Sequence, residues 1–324
     1  MYVMDVPKRF EEWSARPGDP YPNWGMLQTC LFKLVVPRAL EPYLDADYAR
    51  RNLELVRRRS EIVKKYGMQA AVVVIDPFYL PEQAYLDHPA WRGPRCDHPR
   101  RSRDMYFSPC IDNEEVRGLY YEAMQRLCAE VDIGFFQIIT NDSGAGVCWS
   151  TGLYNGPNGP EACRKVSMAD RIVGFLQVLY DAARSQGRET LIDITSDIFG
   201  YKAPEASMDA AWTSLKPGQL VTGRDMHGKK PVYHMLSDLI EHVRPMQTLP
   251  MTVDFVRKLH AAAGSESEYI KAVIHRSEFN EYIRILDAYR EMRPQDTAQL
   301  MNVLRHVAAQ IVGEAQASKL LDAW

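Results

Sequence analysis

The sequence contains no long hydrophobic run. Of its 324 residues, 46% are hydrophobic and 25% are charged, and no stretch approaches the roughly 18 consecutive apolar residues that a membrane span needs. The segment from Met1 to Pro7 also lacks the basic region and apolar core of a secretory signal. We therefore expect no membrane partner. The expected location is cytoplasmic by default, or outside the cell if the chain belongs to a longer exported protein.

The sequence also lacks an excess of charge of one sign. The formal net charge is −3 and the isoelectric point is about 6.3, so no global field attracts nucleic acid. The basic run Arg57 to Arg59 falls in a predicted helix, where a solvated face explains it. No nucleic-acid partner is expected, and the sequence carries no signal for a particular oligomeric state.

Several motifs of metal and cofactor sites are missing. No two of the six cysteines are spaced as C-x-x-C, and neither H-x-H nor H-E-x-x-H occurs. No G-x-G-x-x-G turn follows the first predicted strand, which counts against a dinucleotide fold. We expect no cofactor, no metal and free thiols, although the pairs Cys96/Cys110 and Cys148/Cys163 bracket loops and could be bridged in an exported protein.

Apolar runs alternate with helical patterns from residue 26 to about 225. Strands are predicted at 26–36, 70–75, 134–140, 190–195 and 219–222. Helices are predicted from Asp45 or Asp47 to Lys65, from a cap within 112–115 through Leu127, and at about 160–185 and 204–215. This alternation predicts an α/β fold with a parallel sheet, which we interpret as a (β/α) TIM-type barrel, complete or incomplete, over residues 1–236. A helical C-terminal region is predicted over 237–324, broken at Pro294. The helical pattern still runs at Trp324, so we expect a longer parent protein or an incomplete reading frame.

A carboxylate recurs near the ends of four predicted strands. In parallel α/β barrels the catalytic groups lie where strands end and the loops to the helices begin. Aspartate is also common in caps and turns, so any one of these residues has a structural explanation, but the recurrence favours a site. The predicted catalytic residues are Asp76, Asp142, Asp193 and Asp225.

Several carboxylates with few histidines suit glycosidic chemistry. One acid protonates the leaving oxygen, and a second activates water or attacks the anomeric carbon. Flat aromatic rings beside polar groups suit a carbohydrate substrate, and the loop after Asp142 is long and rich in Gly, Asn and Pro. The predicted substrate-binding residues are Tyr79, Asn141, Trp149, Tyr154, Arg224 and His227.

Two segments carry a resemblance to a known group of enzymes. The run from Val73 to Glu82, and Asn141-Asp142 followed by Cys148-Trp149, resemble the (β/α)8-barrel glycoside hydrolases of the β-N-acetylhexosaminidase and α-glucuronidase type over about residues 67–226. The resemblance implies a barrel with catalytic carboxylates at its strand ends, and the α-glucuronidases also follow their barrel with a helical region. The hexosaminidases carry Gly-Asp-Glu where this chain has Asn141-Asp142-Ser143, so their Asp-Glu pair is absent.

The leading hypothesis is a glycoside hydrolase with Asp142 as general acid or base. Arg224 and His227 would bind an acidic or strongly polar sugar substituent. One alternative is a metal-assisted barrel hydrolase or isomerase, with Asp142, Asp193, Asp225 and His227 as ligands. Another is a carbohydrate-binding barrel without catalytic activity.

Overall fold

The structure is a computed structural model, and it consists of two compact units, Met1–Val221 and Thr222–Trp324. It describes residues 2–4, 30–96, 105–139, 146–149, 159–195, 220–221, 233–235, 252–264, 269–271 and 279–324. Within these residues, no helix combines the length and the apolar character needed to span a membrane.

The first unit is built on a parallel sheet. Its strands are β1 (Tyr2–Met4), β2 (Ala70–Ile75), β3 (Arg92–Arg95), β4 (Phe107–Pro109), β5 (Ile133–Ile139), β6 (Leu191–Thr195) and β7 (Leu220–Val221). Its α-helices are α1 (Ala46–Lys65), α2 (Glu82–Asp87), α3 (Glu114–Glu130) and α4 (Met168–Ser185). Five strands form one sheet in the order β1-β2-β5-β6-β7, with every pair parallel, while β3 and β4 form a separate antiparallel ribbon.

Local sequence explains the strands and helices of this unit. The run Ala70–Ile75 is apolar and rich in β-branched residues, and most of it is buried, as a central parallel strand requires. Asp45 caps α1 by accepting a hydrogen bond from the backbone N–H of Tyr48, and Gly67, at φ 68°, follows the helix in the left-handed conformation. Asn113 caps α3 in the same way. The predictions for α1, β2, α3, β5 and β6 are confirmed to within a few residues.

The helices α3 and α4 pack against each other. Tyr120 on α3 stands edge-on to Phe175 on α4, with ring centroids 4.8 Å apart. The ring of Phe32, from the segment before α1, has its centroid 4.6 Å from that of Tyr120. All three side chains are buried, so the core of this unit includes the segment around residue 32.

Two sequence predictions need correction. The strand expected at 26–36 is wrong over its described part, 30–36, which contains a short 3-10 helix at Leu31–Lys33. A second 3-10 helix follows the run at Arg38–Leu40. The apolar residues of 30–36 are buried in a folded loop, and a short apolar run does not distinguish a loop of this kind from a buried strand. The helix predicted from residue 160 begins at Met168, after a 3-10 turn at Glu161–Cys163. The helix predicted at 204–215 lies outside the described residues.

The described residues do not form the closed TIM-type barrel that the sequence predicts. In the described residues the sheet is open, with β1 and β7 each paired on one side only. Closing a (β/α) barrel takes eight strands, and the described sheet has five. The fold class that the structure supports is α/β with a parallel sheet and helices.

In its described residues, the second unit contains a short parallel ladder and four helices. The strands β8 (Tyr233–Met235) and β9 (Tyr269–Lys271) pair with each other. The helices are α5 (Thr252–Ala263), α6 (Phe279–Met292), α7 (Thr297–Val312) and α8 (Glu314–Ala323). The predicted break at Pro294 is confirmed, because it falls between α6 and α7. The predicted domain boundary after residue 236 falls outside the described residues.

Candidate functional site

Three strands of the first unit end at the same level. Ile75 at the end of β2 pairs with Ile139 at the end of β5, and Ile139 pairs in turn with Thr195 at the end of β6. Because the strands are parallel, their carboxyl ends share one edge of the sheet. Open parallel sheets bind their ligands outside this edge, so it is the candidate site.

Asp76 follows β2 directly and is buried beneath this edge. Its Oδ2 accepts a hydrogen bond of 2.8 Å from the backbone N–H of Leu31, and its Oδ1 accepts one of 3.2 Å from the hydroxyl of Tyr120. Asp76 is only 1% exposed. Both oxygens are therefore engaged by protein groups, and the carboxyl ties the segment at residue 31 to the sheet and to α3.

Burial changes the acidity of this group. Desolvation raises the pKa of Asp76 from 3.8 to about 7, against the lowering effect of its hydrogen-bond donors and of Lys33. Burial, together with the nearby Asp76 carboxylate, also raises the pKa of Cys30 to about 12. Near neutral pH this carboxyl therefore exchanges between its protonated and ionised forms.

The residues after Asp76 form an aromatic group. The Asp76–Pro77 bond is cis. The rings of Phe78 and Tyr79 have centroids 4.5 Å apart, and Tyr106 lies 5.0 Å from Tyr79. Tyr79, expected to bind substrate, is 3% exposed. It contributes its ring to the packing beside the strand end.

The segment 146–149, beyond β5, packs against the end of β2. A Cβ atom on Gly146 would lie 2.6 Å from the carbonyl oxygen of Pro77, and the φ of Gly146 is +94°. Only glycine fits a position with both properties. The segment 146–149 is therefore held close to the turn that carries Asp76.

Trp149 is held by its own neighbours. Its indole Nε1 donates a 2.9 Å hydrogen bond to the carbonyl of Pro160, and the guanidinium of Arg164 lies 5.2 Å from the ring centroid. Its φ of 60° is rare for a bulky side chain. Strain of this kind persists only where the surroundings enforce it, and it is concentrated at functional segments.

Asp193 lies within β6, and not after it. It pairs with Gln137 of β5 and Val221 of β7, and Gln137 pairs with Val73 of β2. Along the strands, Asp193 is therefore level with Val73, three positions before Asp76. The structure brings the strands of Asp76 and Asp193 into one sheet but does not put the two residues at one level.

The other predicted site residues lie outside the described residues. They are Asn141, Asp142, Tyr154, Arg224, Asp225 and His227. In sequence, Asp142 comes three residues after Ile139, and Asp225 comes four residues after Val221.

A second group of reactive side chains lies in the first unit. The Sγ atoms of Cys110, Cys148 and Cys163 and a carboxylate oxygen of Asp112 all lie within 4.8 Å of one another. We call these four residues the cysteine cluster. The Sγ atoms of Cys110 and Cys148 are 3.5 Å apart, and the geometry would allow the cluster to hold a metal ion.

Sequence reasoning did not find the cysteine cluster. The cysteines come from three separate segments, so no local spacing reveals them. The hydrogen bond from Cys148 lowers the pKa of Cys110 to about 6. The same hydrogen bond raises the pKa of Cys148 above its ordinary value, because Cys148 would have to give up the shared proton.

Comparison with known proteins gives weak structural neighbours only. No family model and no curated protein matches this chain. It is similar to a family 36 α-galactosidase from Geobacillus stearothermophilus, with 14% identity, TM-score 0.39, and coverage of 72% of this chain and 32% of that chain. An α-galactosidase from Lactobacillus brevis has 11% identity and TM-score 0.39, with 77% and 33% covered. A family 27 β-L-arabinopyranosidase variant from G. stearothermophilus has 12% identity and TM-score 0.37, with 76% and 55% covered.

These neighbours are glycoside hydrolases, of families 36 and 27 where the family is given, and not of the hexosaminidase or α-glucuronidase type. The chain spans about a third of the length of the first structures it matches. TM-scores of this size do not establish a shared fold.

Proposed function

We propose that this chain is the core of a glycoside hydrolase whose carboxylates act at the carboxyl edge of the parallel sheet. The observation that carries the proposal is the adjacency of β2, β5, β6 and β7 in one parallel sheet. Asp76, Asp142 and Asp225 all follow strands of this group within a few residues, and Asp193 is part of β6. A set of acids near one edge matches the two-carboxylate chemistry of glycoside cleavage.

In this proposal Asp142 is the general acid or base. Asp193 and Asp225 are the candidates for the second carboxylate, which activates water or attacks the anomeric carbon. Asp76 has both oxygens occupied by Leu31 and Tyr120, so we assign it a positioning role beneath the edge. The substrate is a carbohydrate.

The remaining polar and aromatic residues would bind the sugar. Trp149 is partly exposed, and Tyr154 follows it five residues later in the sequence. Arg224 offers a planar guanidinium that can hold a carboxylate or a pair of hydroxyls, with His227 and Asn141 as further hydrogen-bonding groups. Tyr79 is buried and packs on Phe78, so it would support the site without contacting the sugar.

The test is the substitution Asp142→Asn. Purified protein would be assayed on a panel of aryl glycosides that differ in sugar and in anomeric configuration. We expect the variant to lose about 100-fold or more of kcat/KM on the substrate that the wild type cleaves, because general acid–base catalysis contributes at least this much.

Asp181→Asn is the matched control, because Asp181 is an exposed aspartate of α4 that contacts only Gln177 among the interactions described. The control should keep wild-type activity. Sugar binding without turnover in the wild type would instead support a carbohydrate-binding protein. Full activity of Asp142→Asn would reject the catalytic assignment.

A further inference from the structure

The cysteine cluster joins three segments that are distant in sequence. Cys110 and Asp112 lie between β4 and α3, Cys148 lies in the segment beyond β5, and Cys163 ends the 3-10 turn before α4. All three thiols are buried. Trp149 and Val166 pack around the sulfur atoms and form an apolar wall.

One oxygen of the cluster has no partner within the described structure. The side chain of Asp112 is only 7% exposed. Its Oδ2 accepts a 2.7 Å hydrogen bond from Nε of Arg171. Its Oδ1 is buried and makes no hydrogen bond. A buried carboxylate oxygen without a hydrogen-bond donor lowers the stability of the fold. The carboxylate that carries this oxygen is also the one that lies close to the three thiols.

We propose that Cys110, Asp112, Cys148 and Cys163 bind one zinc ion in a closed tetrahedral site. Three sulfur ligands and one carboxylate oxygen form a donor set that zinc accepts, with Zn–S of about 2.3 Å and Zn–O of about 2.0–2.2 Å. In a tetrahedron with these bond lengths, sulfur atoms lie about 3.8 Å apart. The observed 3.5 Å between Cys110 and Cys148, and the 4.8 Å limit for the whole set, are close to this geometry.

A disulfide explains the cluster less well. One disulfide would use two of the three sulfur atoms and would leave the Asp112 oxygen without a partner. Zinc engages all four groups. Each thiol releases its proton to solvent when its sulfur binds the metal, and no oxidant is consumed.

Arg171 supports the cluster from behind. It is 1% exposed, and besides its contact with Asp112 it donates to the carbonyl oxygens of Cys163, at 2.7 Å, and Val166, at 3.2 Å. This one guanidinium therefore orients a ligand carboxylate and fixes the backbone beside a ligand thiol. Groups placed in this way hold metal ligands in their binding geometry.

The site would fix both ends of the segment 149–162, because Cys148 and Cys163 flank it. This segment follows the proposed catalytic residue Asp142 in the sequence. With four protein ligands and no open position, the ion has a structural role. The zinc site does not depend on the proposed glycosidase activity.

The experiment measures metal content and coordination in the full chain, purified under reducing conditions. We expect elemental analysis to give one zinc per chain. Replacement by cobalt should give the visible d–d bands of a tetrahedral ion and a sulfur-to-metal charge-transfer band. Cys148→Ser and Cys163→Ser should each lower the zinc content at least tenfold, and Asp112→Asn should weaken binding in competition with a chelator.

Cys128→Ser is the matched control, because Cys128 is a buried free cysteine outside the cluster. This variant should retain one zinc per chain. A soluble, folded wild type without stoichiometric zinc and without the cobalt spectrum would overturn the proposal. So would a native Cys110–Cys148 disulfide, detected by mass spectrometry of peptides from unreduced protein.

Discussion

At the scale of single residues, Asp76 shows how burial alters a carboxylate. The residue follows a buried strand, where the sequence predicted a catalytic acid. The fold places it under the edge, with Leu31 and Tyr120 donating to its two oxygens. Its proximity to the candidate site follows from its position in the strand, whereas its lack of exposure follows from the folded segment at residues 30–36.

The raised pKa of Asp76 predicts a pH dependence of stability. The folded state holds a proton that the unfolded state releases, because the folded pKa is about 7 and the ordinary value is 3.8. The bound proton therefore contributes fully to the free energy of unfolding below the ordinary pKa of 3.8. This stabilisation, on the order of 4 kcal/mol, is lost as the pH rises from there through the folded pKa of about 7. We expect Asp76→Asn to remove this decline when urea unfolding is measured between pH 4 and 8.

The amide of the Asp76→Asn variant can satisfy both neighbours. Its oxygen can accept from the N–H of Leu31, and its nitrogen can donate to the hydroxyl of Tyr120. The variant should therefore remain folded, whereas Asp76→Ala leaves the Leu31 donor unpaired and should be less stable at every pH. If the pH slope of Asp76→Asn equals that of the wild type, the raised pKa is refuted.

At the scale of elements, caps and glycines define where helices and turns end. Asp45, Asn113, Ser167 and Asp296 each accept a hydrogen bond from a backbone N–H in the first turn of the helix that follows. These residues are visible in sequence because capping depends only on local geometry. Gly146 is different, since its requirement arises from contact with a distant turn.

Gly146→Ala tests this tertiary requirement. The new Cβ would meet the Pro77 carbonyl oxygen at 2.6 Å, at a φ of +94°. We expect a loss of about 3 kcal/mol or more in the free energy of unfolding, from backbone strain and from the clash together. Urea unfolding monitored by circular dichroism measures this loss.

Gly187→Ala is the matched control for this change. Gly187 also has a positive φ, of +67°, but nothing lies within 4 Å of an added Cβ. The Gly187→Ala variant should therefore lose only about 1–2 kcal/mol of the free energy of unfolding, from backbone strain alone. Equal losses in the two variants would show that the contact with Pro77 is absent.

At the scale of the whole molecule, the chain forms two compact units. The second unit has a core of its own, in which helices α5, α6 and α7 contribute buried residues. The members of this core include Phe255, Leu259, Tyr282, Ile285, Val303 and Leu304. Because this core lies within the second unit, we expect a substitution that weakens it to destabilise that unit first.

Leu304→Ala tests whether this core stabilises the second unit. Leu304 is fully buried on α7, so its truncation should cost about 2–5 kcal/mol. Hydrogen–deuterium exchange should accelerate in peptides from 279–324 and remain unchanged in peptides from 114–139. The control is Arg305→Ala at the exposed neighbouring position, which should leave exchange unchanged in both regions. Equal acceleration of exchange in both regions after Leu304→Ala would contradict a separate core.

The sequence by itself determined the features that depend on near neighbours along the chain. The strands β2, β5 and β6, the helices α1 and α3, and the break at Pro294 follow from apolar periodicity and capping, which act over a few residues. The parallel sheet followed from the alternation of strands and helices. Asp142 keeps its predicted catalytic role as a proposal, since it lies outside the described residues.

Only the tertiary structure decided the features that depend on contacts between distant segments. The run at 30–36 is as apolar as a strand, yet it folds as a loop because the hydrogen bond to Asp76 and the packing on Tyr120 hold it. The cysteine cluster is invisible in the sequence because Cys110, Cys148 and Cys163 share no local spacing. Their proximity arises when the segments after β4 and β5 meet the start of α4, and this meeting is a property of the folded chain.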